Sequence, residues 1–184
     1  MKTVTLFEPL FQELRIRKVV EKIPQGKALV DLGCDQPQVL IDRVRENMKS
    51  CIGVDIAVTP HKYANVQILR QDLRHKIALP SNSADVVTML AVLEHVKYPE
   101  DIITECFRVL RKNGVLLITV PSPNSKPLLE LLAILGLVRK EMIEQHENYF
   151  TKMRLESICE HVGFRSVSVE SFELGCNTFV HAVK

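Results

Sequence analysis

Charge of one sign is what this 184-residue chain lacks first: 24 Lys and Arg stand against 22 Asp and Glu, interspersed, for a net charge of +2. So small an excess leaves no electrostatic footprint for nucleic acid. The five cysteines (Cys34, Cys51, Cys106, Cys159 and Cys176) contain no C-x-x-C pair. An odd, scattered set reads as reduced core thiols of an intracellular protein. His61, His75, His161 and His181 show no ligand spacing with one another or with cysteine, which argues against a metal site. The opening M-K-T-V-T-L-F-E-P-L lacks the basic, apolar and small-residue order of a secretory leader, so a cytoplasmic location is the expectation. The apolar run at 128–138 is too short, and too interrupted by Glu130, to cross a bilayer. Internal repeats and low-complexity segments are absent as well, and the length suits one domain, 1–184, with a sizeable core.

What is present is organised around K-A-L-V-D-L-G-C-D-Q-P-Q-V-L, residues 27–40. Ala28, Leu29, Val30 and Leu32 form a short apolar run with Asp31 inside it, closed by Gly33, and predict a buried strand of a parallel sheet. Asp35 and Pro37 then have the places of an N-cap and a first-turn proline, predicting a helix from about Pro37 to Asn47. Strand, tight turn and helix make one wall of a ligand crevice in doubly wound α/β proteins. A dinucleotide site needs G-x-G-x-x-G so that pyrophosphate reaches helix N-terminal amides. Here Asp35 and Gln38 hold the second and third glycine positions. A carboxylate at that place repels phosphate, so the turn favours a cationic ligand.

Ahead of this stretch, Phe7, Leu10, Phe11, Leu14, Val19, Val20 and Ile23 have helical spacing within residues 1–26, ended by Pro24-Gln25-Gly26; this helix is a scaffold piece or a lid. Beyond it, residues 51–56 (C-I-G-V-D-I) predict a second strand whose Asp55 stands about 20 residues past the turn, where an acid accepts hydrogen bonds from ribose hydroxyls. Residues 66–70 predict a third strand running into Gln71-Asp72-Leu73, where a carboxylate and the next backbone N–H suit an adenine edge. Residues 84–90 predict a fourth strand, followed by A-V-L-E-H-V and a helix from about Pro99 to Leu110. Asn113-Gly114 turns into a strongly apolar fifth strand at 115–120. A helix from Lys152 to His161 ends at Gly163, and residues 165–172 and 178–183 predict a closing hairpin. Strands alternating with helices imply a parallel sheet with right-handed crossovers.

The D-L-G-C turn, the acid ending strand two, Q-D-L, A-D-V-V-T-M-L-A-V-L-E-H-V and R-V-L-R-K-N-G-V-L-L-I-T-V-P together resemble the class I S-adenosylmethionine (SAM)-dependent methyltransferases, in their small-molecule, type 11 like branch. The resemblance implies a Rossmann-like, doubly wound, seven-stranded, mostly parallel sheet with an antiparallel last strand. It implies transfer of a methyl group from SAM to a small or carrier-linked acceptor. It puts Asp31, Gly33 and Cys34 near the methionine part of SAM, Asp55 and Ile56 at the ribose, Asp72 and Leu73 at the adenine, and Leu90 and Ala91 under the donor. It makes 121–150 a substrate-covering insertion and His95, His146 and Tyr149 the acceptor-side, catalytic candidates, while 128–138 becomes a candidate dimer or hydrophobic contact. The family usually carries G-x-G-x-G in the turn, whereas this chain has Gly33-Cys34-Asp35-Gln36-Pro37. A catalytically silent module that keeps the fold is the alternative this departure supports, and an NAD-dependent oxidoreductase is a third reading that Asp35 disfavours.

Overall fold

The computed structural model describes residues 8–74, 76–123, 125 and 150–184. His75, His146, Tyr149 and the 128–138 run lie outside the described residues, as does most of the expected insertion. In chain order the elements are α1 (Glu8–Val20), β1 (Ala28–Leu32), α2 (Val39–Val44), β2 (Ser50–Asp55), β3 (His61–Tyr63), β4 (Val66–Arg70), β5 (Ala84–Leu90), α3 (Pro99–Val109), β6 (Leu110–Pro121), α4 (Lys152–Val162), β7 (Ser166–Phe172) and β8 (Asn177–Val183). One eight-stranded sheet runs β3-β4-β2-β1-β5-β6-β8-β7. β4, β2, β1, β5 and β6 pair in parallel, and β8 is antiparallel to both β6 and β7. The doubly wound sheet with an antiparallel last strand is therefore as expected, with one addition. β3 pairs antiparallel to β4 at the edge; its three residues are exposed or half-buried and give no apolar alternation to read.

All five residues of β1 are buried because helices cover both faces of the sheet. Alternation along the strand sends Leu29 to a layer with Ile16 and Val19 of α1 and Leu40, Ile41 and Val44 of α2. It sends Val30 and Leu32 to the opposite layer, with Ile102, Ile103 and Cys106 of α3 and Leu155, Ile158 and Cys159 of α4. α3 buries Pro99, Ile102, Ile103, Cys106 and Val109, a stripe at helical spacing. α4 starts at Thr151, whose side chain accepts from the Arg154 N–H, and stops at Gly163 with φ +112°.

Two local expectations change. α2 begins at Val39 with Gln38 as its N-cap, and Asp35 does not cap it. Asp35 takes φ +54° and the Gln36–Pro37 bond is cis, so the chain turns fully before the helix starts. After α2, Arg45–Asn47 continue as a 3₁₀ turn. β6 begins at Leu110 rather than Val115, directly where α3 ends.

β2 presses on the turn through Gly53: a Cβ there would lie 2.7 Å from Ile68 Cδ1, 2.8 Å from Cys34 Sγ and 2.9 Å from Ile41 Cδ1. All three neighbours are buried, so an added methyl has nowhere to go. Gly53→Ala is expected to destabilise the fold by about 1–3 kcal/mol in urea unfolding; wild-type stability would show that the turn yields.

Candidate functional site

The strands β1 and β5 are neighbours, but the chain leaves β1 towards β2 and leaves β5 towards β6, which makes their carboxyl ends the switch point of the sheet. Gly33 sits there with φ +74°, and a Cβ on it would come within 2.2 Å of Val92 Cγ2, so the segment after β5 lies directly against the turn after β1. Asp31 and Thr88 are register partners across β1 and β5, and Thr88 Oγ1 donates to Asp31 Oδ1 at 2.6 Å. Burial pushes the Asp31 carboxyl up to about 7, against the opposing Thr88 hydrogen bond and with help from the Asp55 charge. A cation arriving at this edge restores the ionised form.

Asp55, at the end of β2, ties the turn to the next strand. Its Oδ2 accepts from the Asp35 N–H at 3.2 Å and its Oδ1 from the Ala57 N–H at 2.7 Å. A carboxylate has about four lone-pair sites, so room is left for ligand hydroxyls. Ile56 beside it is a large apolar side chain left 56% exposed. Gln71 N–H donates to the Asp55 carbonyl at 3.0 Å, which sets Asp72 and the half-buried Leu73 next to the same edge. Asp72 accepts from Arg74 N–H at 3.1 Å and from Arg74 Nε at 2.7 Å. That pair is exposed and weak, leaving Asp72 available to a ligand. Ala91, following Leu90, has φ +56° and donates its N–H to the Thr119 carbonyl at 2.9 Å. Cys34 is buried, and burial with the charges of Asp31 and Asp55 pushes its thiol up to about 12, so it packs as a protonated thiol rather than acting as a nucleophile. Asp35, Gln36 and Pro37 are all exposed.

Asp31, Gly33, Cys34, Asp55, Ile56, Asp72, Leu73, Leu90 and Ala91 are thus brought to the carboxyl ends of β1, β2, β4 and β5. His95 is in the 3₁₀ turn Leu93–His95 that follows β5, with its side chain exposed. Its neighbour Glu94 is the one turned inward, 1% exposed, and burial pushes its carboxyl up to about 7 against its own backbone hydrogen bond and the charge of Arg15. Sequence reasoning missed Glu94 and Thr88. Glu94 stood inside the quoted A-V-L-E-H-V segment, but adjacent polar residues carry no sign of which faces the core.

A family model described as a methyltransferase domain matches residues 7–169. The chain belongs to the methyltransferase domain family. This membership sets aside the oxidoreductase reading. The chain is 31% identical over 101 residues to a probable S-adenosylmethionine-dependent methyltransferase of Mycolicibacterium smegmatis, covering 53% of this chain and 39% of that protein. It is 28% identical over 142 residues to a ubiquinone biosynthesis O-methyltransferase of Pseudomonas entomophila, covering 71% of this chain and 60% of that protein. It therefore spans between about two fifths and three fifths of the length of these relatives. In structure it superposes on a SAM-dependent methyltransferase of Archaeoglobus fulgidus with TM-score 0.70 at 20% identity, covering 97% of this chain and 98% of the other. S-adenosylmethionine is the methyl donor of this family, and the row of acids with its exposed turn suits such a cation. Among the described residues, no helix is long and apolar enough to cross a membrane and no cluster suits a metal ion.

Asp31 also links the site to stability. Its carboxyl rises from 3.8 to about 7, so between those values the folded chain holds a proton that the unfolded chain releases, and stability falls as pH rises through this window. Glu94, raised by burial to about 7, adds a slope of the same sign, Asp85 acts below the window and Glu105 only up to its lower edge, and His181, lowered by burial, contributes a slope of opposite sign near its upper end. Asp31→Asn keeps an acceptor for Thr88 and cannot ionise. Its stability relative to wild type is expected to be more favourable at pH 8 than at pH 5, by urea unfolding; an unchanging difference would mean that Asp31 is ionised throughout.

Proposed function

We propose that this domain transfers a methyl group from S-adenosylmethionine to a small or carrier-linked acceptor. The observation that carries the reading is the row of acids, Asp31, Asp55 and Asp72, at the carboxyl ends of β1, β2 and beyond β4, around a turn with no glycine amides bared for phosphate. Asp55 keeps unused lone pairs and would accept both ribose hydroxyls, with Ile56 as the apolar wall beside them. Asp72 and the Leu73 N–H would read the adenine edge, and Asp31 with Gly33 and Cys34 would line the methionine end. Leu90 and Ala91 would form the floor. When bound, the donor supplies an activated methyl group on a sulfonium.

This chain's part is then alignment and exclusion of water, since in-line displacement at an activated carbon needs little else. A proton must be taken only where the acceptor atom holds one. His95, exposed at the mouth of β5, would take it and pass it to solvent. His146 and Tyr149, outside the described residues, are assigned to the acceptor side with the 121–150 insertion. The Pseudomonas relatives are named for ubiquinone biosynthesis, which supports a small acceptor.

Asp55→Ala is expected to weaken SAM by about 1–3 kcal/mol in calorimetry, because the ribose hydroxyls lose their carboxylate partner; equal affinity removes Asp55 from the site. His95→Ala is expected to lower turnover across a panel of small acceptors by on the order of 100-fold, with SAM affinity near wild type. Full turnover in that variant would take the proton-accepting role away from His95.

A further inference from the structure

Asp31 is 4% exposed and Thr88 0%, and the two face each other from β1 and β5. Alternation puts Asp31 on the face of the sheet where Leu29 packs with α1 and α2. Among the described residues its carboxyl takes one hydrogen bond, to Oδ1 from Thr88 Oγ1 at 2.6 Å, and no Lys, Arg or His bears on it. The groups around it are acids and thiols. Asp55 at the end of β2 raises its pKa, while Cys34 of the turn and Cys51 of β2 feel its charge in return. Of the charged side chains on the covering helices, Arg43 pairs with Glu13, Asp42 accepts from the Tyr63 hydroxyl, Lys18 pairs with Glu170, and Arg15 feels the charges of Glu173 and Glu94. A buried carboxylate with no cation is costly, so Asp31 keeps its proton far above the usual carboxylate range.

Thr88 suits both forms of this acid. Its single hydroxyl hydrogen has two acceptors, Asp31 Oδ1 at 2.6 Å and the Val30 carbonyl at 3.4 Å. An ionised Asp31 receives that hydrogen, whereas a protonated Asp31 donates its own to Thr88 Oγ1 and leaves the Thr88 hydrogen for Val30. Neither exchange requires a heavy atom to move. We propose that Thr88 is a positioning residue that lets Asp31 change protonation state in place, so that the α-ammonium of an incoming S-adenosyl amino acid expels a proton from Asp31. The Asp31 O–H bond breaks, its electron pair stays on the carboxylate and the proton passes to solvent, while the ammonium keeps its own hydrogens. This coupling rests on the placement of Asp31 at the methionine end of the donor in the proposed function. It makes donor affinity rise with pH until free Asp31 is ionised, and it sets nucleosides that carry an amino acid apart from those that do not.

The test is calorimetry on the full chain in two buffers of different protonation heat, at pH 6 and at pH 8. The probes are S-adenosylhomocysteine, which carries the ammonium, and 5′-methylthioadenosine, which lacks it. For a group titrating near 7, S-adenosylhomocysteine should release about nine tenths of a proton at pH 6 and about one tenth at pH 8, its affinity rising about tenfold between them. Methylthioadenosine should release none. Asp31→Asn should abolish the release, which separates Asp31 from Glu94, the other raised acid at this edge. Thr88→Val removes the hydrogen bond that lowers the Asp31 pKa, so its release should persist at pH 8, and Thr88→Ser should restore the wild-type profile. Thermal melting reports that each variant is folded. Equal release with both nucleosides or no release at pH 6, neither of which needs a variant, overturns the coupling. Release unchanged in Asp31→Asn, or a wild-type profile in folded Thr88→Val, overturns it as well. Failure of wild-type protein to bind S-adenosylhomocysteine overturns the donor site itself, so the two failures are told apart.

Discussion

Burial of β1 on both faces is the constraint on which the rest of the site depends. With β2 on one side, β5 on the other and a helical layer above and below, every residue of the strand is inside, Asp31 included. An acid in that position is stable only with a partner and a shifted ionisation, and Thr88 supplies the partner from the facing register position. The arrangement also explains Gly33. The chain must turn sharply where β5 delivers Val92 against the same spot, and a side chain of any size would collide there.

From this centre a run of polar groups extends both ways along the carboxyl edge. Towards β2 and β4 the acids are partly open and engaged with backbone N–H groups or an exposed arginine, as Asp55 and Asp72 are. Beyond β5, Glu94 is enclosed, and its Oε2 is left without a hydrogen-bond partner among the described residues. Ile16 and Val19 bury α1 against the sheet, while the bidentate Glu13–Arg43 pair and Lys18–Glu170 tie it to α2 and β7. The surface pairs add little energy by themselves. Their effect is to fix where α1 lies against α2 and β7.

Much of this frame could be read from the residues. β4 and β5 have the expected bounds because apolar runs closed by turn residues have few other uses, and Gly163 marks the end of α4 because cap chemistry is local. β3 was illegible, being three exposed or half-buried residues whose strand character comes from pairing with β4. Asp35 misled because an acid before a proline has the composition of a helix cap, while its φ of +54° belongs to the turn. Glu94 and His95 are adjacent in a 3₁₀ turn, and only its orientation sends one inward and the other to solvent.

By itself, the order of residues determined the class of sheet, the places of its parallel strands and the acids at their ends, because period, turn chemistry and charge are local properties of a chain. The tertiary structure decided which of those acids are buried and which oxygens lack a partner. Burial and partnership depend on residues as far apart in the chain as Asp31 and Thr88, and contacts of that kind exist only once the sheet has closed on its helices.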